Sequence, residues 1–347
     1  MNIKLETLIR ERLGRNASVA SVVKLHGDAS YRTYSRVFLS DGSTLIAMQM
    51  PAGAASASEE ITNFKGKHAE LPFINVARYL GGKGLPVPKI EVYDEESRLM
   101  LLEDLGDDLM ARRVESADDE TRLLWYRRAI DLLTELQSKT AGSEPRECVA
   151  LERSFDGVLL DWEFDHFLEY CVEARLGVSM GGADRELFIK ETRRLSAAIG
   201  DLPKGFTHRD FQSRNLIVRN DSLMMIDFQD ALIGPQVYDL VALLRDSYVK
   251  LSEPLLGGLV DYYAKRASRP VAEVRREFDM VTVQRKLKDA GRFVYIDRVK
   301  KNPGFLKFIP ASLGYVKSAL ERMPNERPLF ELLKKFLPEW KQSPQYE

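Results

Sequence analysis

In the run His208-Arg209-Asp210-Phe211-Gln212-Ser213-Arg214-Asn215, a carboxylate at Asp210 precedes a carboxamide at Asn215, and a second carboxylate, Asp227, closes the apolar run Leu223-Met224-Met225-Ile226. Metal-assisted phosphoryl transfer to an alcohol requires these groups: one carboxylate beside the acceptor hydroxyl, and oxygen ligands for Mg²⁺ that hold the attacking and leaving oxygens in line. In that chemistry Asp210 is the acceptor-side base, while Asn215 and Asp227 hold the metal on the phosphates of ATP. Leu216-Ile217-Val218-Arg219 and the run ending at Ile226 are short apolar segments joined by Asn220-Asp221-Ser222, which predicts a hairpin. Asn215 then enters one strand and Asp227 leaves its partner, so both ligands fall at one end of the ribbon. The competing reading is an ordinary surface hairpin flanked by polar residues, but the combined spacing is far rarer than either half alone.

The surrounding pattern divides in two. Ala20 to Leu25, Tyr31 to Leu39 and Thr44 to Met50 read as strands, the last two joined at Asp41-Gly42, and Lys89 to Tyr93 and Leu99 to Glu103 read as a second pair around Asp94-Glu95-Glu96-Ser97. Helical patterns cover Glu59 to Lys67 and Phe73 to Gly81. From Asp118 onward the period becomes helical, with Leu124, Trp125, Ala129, Leu132, Leu133 and Leu136 on one face. Further helices are expected over Phe155 to Arg175, Arg185 to Ile199, Val237 to Tyr248, Leu255 to Lys265 and Val271 to Val299. The change of period near Leu105-Gly106-Asp107 marks the expected boundary between a sheet-rich lobe, 1–105, and a helical lobe, 106–347.

Composition narrows the class. A chain of 347 residues suggests two domains, each able to bury a core. Fifty-one basic against 52 acidic side chains give a net charge of −1, which argues against a broad nucleic-acid or membrane surface and favours a small-molecule partner. Cys148 and Cys171 form no disulfide framework or zinc pattern. The amino terminus reads as an amphipathic helix rather than a signal sequence, and no apolar run reaches membrane-spanning length, so a cytoplasmic protein is expected.

Several segments together carry a family resemblance: Gly27-Asp28-Ala29-Ser30-Tyr31-Arg32, Leu102-Glu103-Asp104-Leu105-Gly106, His208-Arg209-Asp210, Ile226-Asp227-Phe228-Gln229-Asp230-Ala231 and Tyr238 to Asp246. The chain resembles the aminoglycoside phosphotransferase and choline kinase group, and within it the bacterial kinases for the anomeric hydroxyl of N-acetylmuramate and N-acetylglucosamine. The resemblance implies an α+β, two-lobed protein-kinase-like fold with a small mixed sheet in the N-lobe and a larger, mainly helical C-lobe. It implies ATP and Mg²⁺ as cofactors and a sugar as acceptor. Gly27, Asp28, Ala29 and Ser30 would form the small-residue loop over the phosphates. Glu103 and Leu105 would belong to the connector whose backbone pairs with adenine. His208 and Arg209 would support the catalytic loop, and Asp239 would accept hydrogen bonds from its amides. A helix-start carboxylate favoured by the dipole is the plainer account of Asp239, and both can hold.

One departure stands out. Kinases usually offer a strand lysine to the α- and β-phosphates, whereas Leu45-Ile46-Ala47-Met48-Gln49-Met50 contains none. Gln49 is the nearest polar substitute, and Arg32 or Arg36 would have to supply the missing charge. The remaining candidates read blandly. His26, His68 and His166 are structural; Trp162, Phe164, Phe167 and Tyr170 are core at helical spacing, with a sugar-stacking surface as the alternative. Arg285, Lys288 and Arg292 share a helix face that reads as solvated surface rather than an anion site. The expected activity is transfer of the γ-phosphate to an N-acetylated amino sugar. A kinase for another small alcohol and a nucleotide-binding pseudokinase are the alternatives.

Overall fold

The computed structural model describes residues 2–14, 17–25, 32–50 and 70–341. Five strands, β1 (Val19–Lys24), β2 (Thr33–Leu39), β3 (Thr44–Gln49), β4 (Ile90–Asp94) and β5 (Leu99–Glu103), form a sheet in the order β1-β2-β3-β5-β4. Every neighbour is antiparallel, so the mixed sheet expected from the resemblance is corrected to a wholly antiparallel one. Alternation assigns its two faces. Val37, Leu45, Ala47, Leu99 and Leu101 pack under the helix Asn2–Leu13, against Leu5, Leu8 and Ile9. Met48, Met100 and Leu102 turn the other way, onto Phe73, Val76 and Leu80 of the helix Pro72–Gly82 and the main core beyond. The expected helix at Glu59 to Lys67 lies outside the described residues.

Helices dominate after Glu103. Asp118 caps the helix Asp119–Thr140, its carboxylate accepting from the Thr121 amide at 2.8 Å. The apolar face of that helix is set by Trp125, Tyr126, Ala129, Ile130, Leu133 and Leu136; Leu124, assigned to it above, is exposed. The expected single helix from Phe155 is in fact an α-helix, Gly157–His166, that continues as π-helix over Phe167–Ala174. Across it runs the helix Val271–Lys300, 30 residues and about 45 Å long, most of it buried. Helices Ile309–Glu321 and Arg327–Phe336 complete the chain's packing and were not anticipated.

Two small ribbons carry the loops of interest. β6 (Lys204–Thr207) pairs with β9 (Leu232–Pro235), and β7 (Leu216–Arg219) pairs with β8 (Ser222–Met225). Asn220 and Asp221, at φ 50° and 57°, make the two-residue turn of the second ribbon, with both central residues left-handed as a type I′ hairpin requires. This ribbon is anchored to the sheet-rich part: the Val218 amide donates to the Asp108 carbonyl at 2.7 Å, the Met225 amide to Pro86 at 2.8 Å, and Arg219 pairs with Glu103. Among the described residues no helix is long and apolar enough to cross a membrane.

Candidate active site

The two ribbons decide where the polar groups fall. Thr207 ends β6 opposite Leu232, so the chain leaves β6 into His208 beside the point where the segment after β9 begins the helix Tyr238–Leu244. Asp239, in the first turn of that helix, accepts from the His208 amide at 2.6 Å and from the Arg209 amide at 3.0 Å. Charge-assisted bonds of this kind offset the left-handed backbone at Arg209, φ 73°, which costs roughly 1–2 kcal/mol. Burial pushes the Asp239 carboxyl up to about 6, with the His208 ring and both amides opposing that rise. The fully buried His208 ring is held neutral by desolvation and contacts the Ile226 carbonyl at 3.1 Å through Nε2, which ties the catalytic loop to the end of β8.

β7 and β8 perform the second juxtaposition. Their register pairs Leu216 with Met225, and the Ile226 amide donates to the Asn215 carbonyl at 3.0 Å, so Asn215 and Asp227 flank one end of the ribbon. Asn215 Nδ2 donates to the Asp210 carbonyl at 2.8 Å, which closes the five-residue loop and orients the side-chain oxygen so that it could act as a ligand atom. Asp227 also sits in left-handed backbone, at φ 65°. Its Oδ1 accepts from Gln229 Nε2 at 2.9 Å, and the same amide reaches Asp230 at 3.0 Å. Burial first, then the charge of Asp210, push the Asp227 carboxyl up to about 6. Two further carboxylates, Asp210 and Asp230, add to that rise and Arg32 opposes it, an arrangement that suits a divalent cation. Among the described residues no three His, Cys, Asp or Glu side chains gather to cage a metal.

Asp210 is treated differently. Burial would raise its pKa, but Arg285, Lys288 and Arg209 outweigh that and hold the carboxyl below its usual range. Arg285 does this at close quarters: Nη1 donates to the Arg209 carbonyl at 2.7 Å and Nη2 to Asp210 Oδ1 at 3.3 Å. The guanidinium is fully buried and lies 4.9 Å from the Tyr238 ring centroid. The reading of Arg285 as solvated surface is therefore corrected. A basic stripe on a helix looks the same in sequence whether water or an active-site loop faces it. Asp246 is a second group the sequence left without a role; it accepts from the Ser213 hydroxyl at 2.5 Å and from the Tyr248 amide at 3.0 Å, pinning the middle of the catalytic loop.

The nucleotide-side candidates divide. Gly27, Asp28, Ala29 and Ser30 lie outside the described residues, as do His26 and His68. Gln49 is not brought to the site. It falls on the Leu45 and Ala47 face of β3, and its amide donates to the Ser97 carbonyl at 2.9 Å and to Arg98 at 3.2 Å, bracing the β4–β5 turn. Strand alternation puts Met48, not Gln49, toward the helical part. Arg36 is likewise committed elsewhere, clamped to Asp104 at 2.6 Å and Asp107 at 2.5 Å, so it steadies the connector instead of serving phosphates. Arg32 is the cation whose field reaches Asp227. The Glu103 carboxylate takes the Lys89 amide at 3.1 Å and pairs with Arg219, while Leu105 is buried at the start of the connector.

A small antiparallel sheet joined to a helical part, with a carboxylate loop and a metal-suited hairpin between them, defines a phosphotransferase of the protein-kinase-like class. Known proteins agree. Residues 21–278 match the phosphotransferase enzyme family, and the chain belongs to that family. It is 31% identical to the N-acetylmuramate/N-acetylglucosamine kinase of Neisseria meningitidis over 88% of this chain and 87% of that protein. It is 29% identical to the enzyme of the same name from Pseudomonas aeruginosa over 90% and 88%. Among solved structures, the choline kinase LicA, in complex with AMP, superposes with a TM-score of 0.61 at 15% identity, covering 92% of this chain and 99% of LicA. The ADP-bound aminoglycoside phosphotransferase APH(2'')-Ib gives 0.54 at 15% identity, covering 88% and 96%. These distant structures establish the fold.

Proposed function

We propose that this phosphotransferase moves the γ-phosphate of ATP onto the anomeric hydroxyl of N-acetylmuramate or N-acetylglucosamine, giving a sugar 1-phosphate. The observation that carries the reading is the convergence of Asp210, Asn215 and Asp227 on one ribbon end, in a chain related over nearly its whole length to kinases of that name. Asp210 accepts the proton of the sugar hydroxyl, and Arg285 keeps it ionised and aimed for that purpose. Asn215 and Asp227 would hold Mg²⁺, which supplies charge neutralisation on the β- and γ-phosphates. Asp239 and Asp246 fix the loop's main chain so that these side chains need no rearrangement. Residues 1–105 supply the nucleotide side. There the Glu103 side chain is paired with Arg219 and the Glu103 amide donates to the Lys89 carbonyl, and the connector main chain that follows, at Leu105, serves the adenine base. Residues 106–347 supply the loop, metal ligands and acceptor side. We place the enzyme in the cytoplasm, where ATP is its phosphate donor.

The relatives weigh against the alternatives: the kinases this chain matches over most of its length are named for N-acetylmuramate and N-acetylglucosamine, not for choline or an aminoglycoside. Beside Asp210, Arg285 and Lys288 offer cations, with Asp289 paired to Lys288. Incubation with Mg·ATP and each sugar, followed by phosphorus NMR, should show phosphate coupled to the anomeric proton, and the methyl glycosides should not react. A 6-phosphate product, or turnover of choline or aminoglycosides in preference to both sugars, would refute the assignment. Absence of any ATP turnover would instead favour a pseudokinase.

A further inference from the structure

Resting on the amino-sugar reading, a specificity device can be located beyond Asp210. The long helix Val271–Lys300 and the helix-to-π run Gly157–Ala174 meet backbone to backbone at Gly291, where an added Cβ would stand 2.8 Å from Phe167 Cα and 3.0 Å from the His166 carbonyl. Only glycine permits that approach, and π-turns of this kind recur where side chains must be re-aimed for function. The contact gathers an aromatic box. His166 stacks with Trp162 at 5.0 Å, faces Tyr170 at 4.6 Å and Tyr295 at 5.4 Å, and the two tyrosine rings meet edge-on at 5.3 Å. His166 is only 6% exposed, yet its Nε2 has no hydrogen-bond partner among the described residues, a costly state for a buried polar atom unless a ligand uses it. Burial, then the charges of Arg292 and Lys288, lower its pKa to about 4, so the ring is neutral; Arg292 lies over Tyr295 of the box.

The helix sets the distances. Arg285, Lys288, Arg292 and Tyr295 recur on one face, and at the helical rise Lys288 lies ~4.5 Å and Arg292 ~10 Å along from the residue that touches Asp210. A hexose with its C1 hydroxyl at Asp210 spans the first interval and presents a C3 substituent to the second. N-acetylmuramate differs from N-acetylglucosamine in that substituent, a lactyl ether bearing a carboxylate. The Arg292 guanidinium lies 4.9 Å from the Tyr295 ring centroid, the geometry of a cation stacked on the box. Lys288 shares Asp289 with Lys286, so one carboxylate serves two ammonium groups and the stretch stays net positive.

We propose that Arg292, assisted by Lys288, binds the lactyl carboxylate of N-acetylmuramate, with the box of Trp162, His166, Tyr170 and Tyr295 as the wall that seats the sugar. The test compares kcat/KM for the two sugars in the full-length enzyme and in Arg292→Met, Arg292→Lys and Lys288→Met. Loss of a charge-assisted contact should lower the N-acetylmuramate to N-acetylglucosamine ratio by about 10- to 100-fold in Arg292→Met, through KM more than kcat, with partial recovery in Arg292→Lys and a smaller fall in Lys288→Met. An unchanged ratio in Arg292→Met overturns the subsite, whether both activities persist or both fall together. Failure of the unaltered enzyme on both sugars would instead refute the amino-sugar reading itself.

Discussion

Asp227 feels the charge of Asp210, yet the two carboxyls are moved in opposite directions: Asp227 up to about 6, Asp210 below the ordinary range. Burial raises both. The difference is what else each one meets. Asp210 receives a guanidinium from Arg285 and the field of Lys288, while Asp227 receives a neutral amide from Gln229, the charge of a neighbouring carboxylate and the opposing field of Arg32. Among the described residues, then, Asp210 is surrounded by cations and Asp227 by fewer, a contrast that suits an acceptor on one side and a metal with its nucleotide on the other. Two residues of one chemistry acquire two roles from their surroundings.

The sharpest way to break that contrast is to remove each carboxylate in turn. Asp227→Ala should abolish turnover and Mg²⁺-dependent nucleotide binding together, because the strongest protein ligand is gone. Asp210→Asn should lower kcat by about 10²- to 10⁴-fold while nucleotide binding, measured by calorimetry, persists. Equal loss of nucleotide binding in both variants would erase the distinction.

Arg285→Met tests why Asp210 differs. It leaves the Arg209 carbonyl and the Asp210 carboxylate without their partner; because the Asp210 side chain is 42% exposed, the cost is about 1–3 kcal/mol, visible as a fall in denaturation midpoint. In the fraction that remains folded kcat should drop with Mg²⁺ affinity retained. Undiminished turnover would show that the guanidinium is only a structural prop.

The mildest expectation concerns the missing strand lysine. Gln49 braces the β4–β5 turn on the far face of the sheet, so Gln49→Ala should change kcat/KM by no more than the effect of about 0.5 kcal/mol, roughly twofold. A loss of tenfold or more would return Gln49 to the phosphate side.

Local spacing made the hairpin that joins Asn215 and Asp227 legible. Asn215 and Asp227 are joined by a ribbon of two four-residue strands, and both the turn composition and the strand pattern lie within the segment itself. The five sheet strands were readable for the same reason, since alternation and hairpin turns are short-range signals. Gln49 was misplaced by one residue of alternation: proximity in sequence made it the substitute, but the pleat sends it to the opposite face from Met48. The π-helix escaped because its apolar spacing still looks helical. The four-residue strands β6 and β9 escaped because neither has a pattern long enough to register, although their pairing is what delivers Asp239 to the catalytic loop.

By itself, the sequence determined the candidate reacting groups, their order along the loop and the family. Only the tertiary structure decided which charges surround them. Arg285 reaches Arg209 and Asp210 from a helix some 75 positions away, and Gly291 lets that helix close on the turn carrying His166. A helical stripe of cations reads identically whether it faces water or a buried carboxylate. Its meaning depends on the local dielectric and on partners from remote segments, which no window of sequence contains.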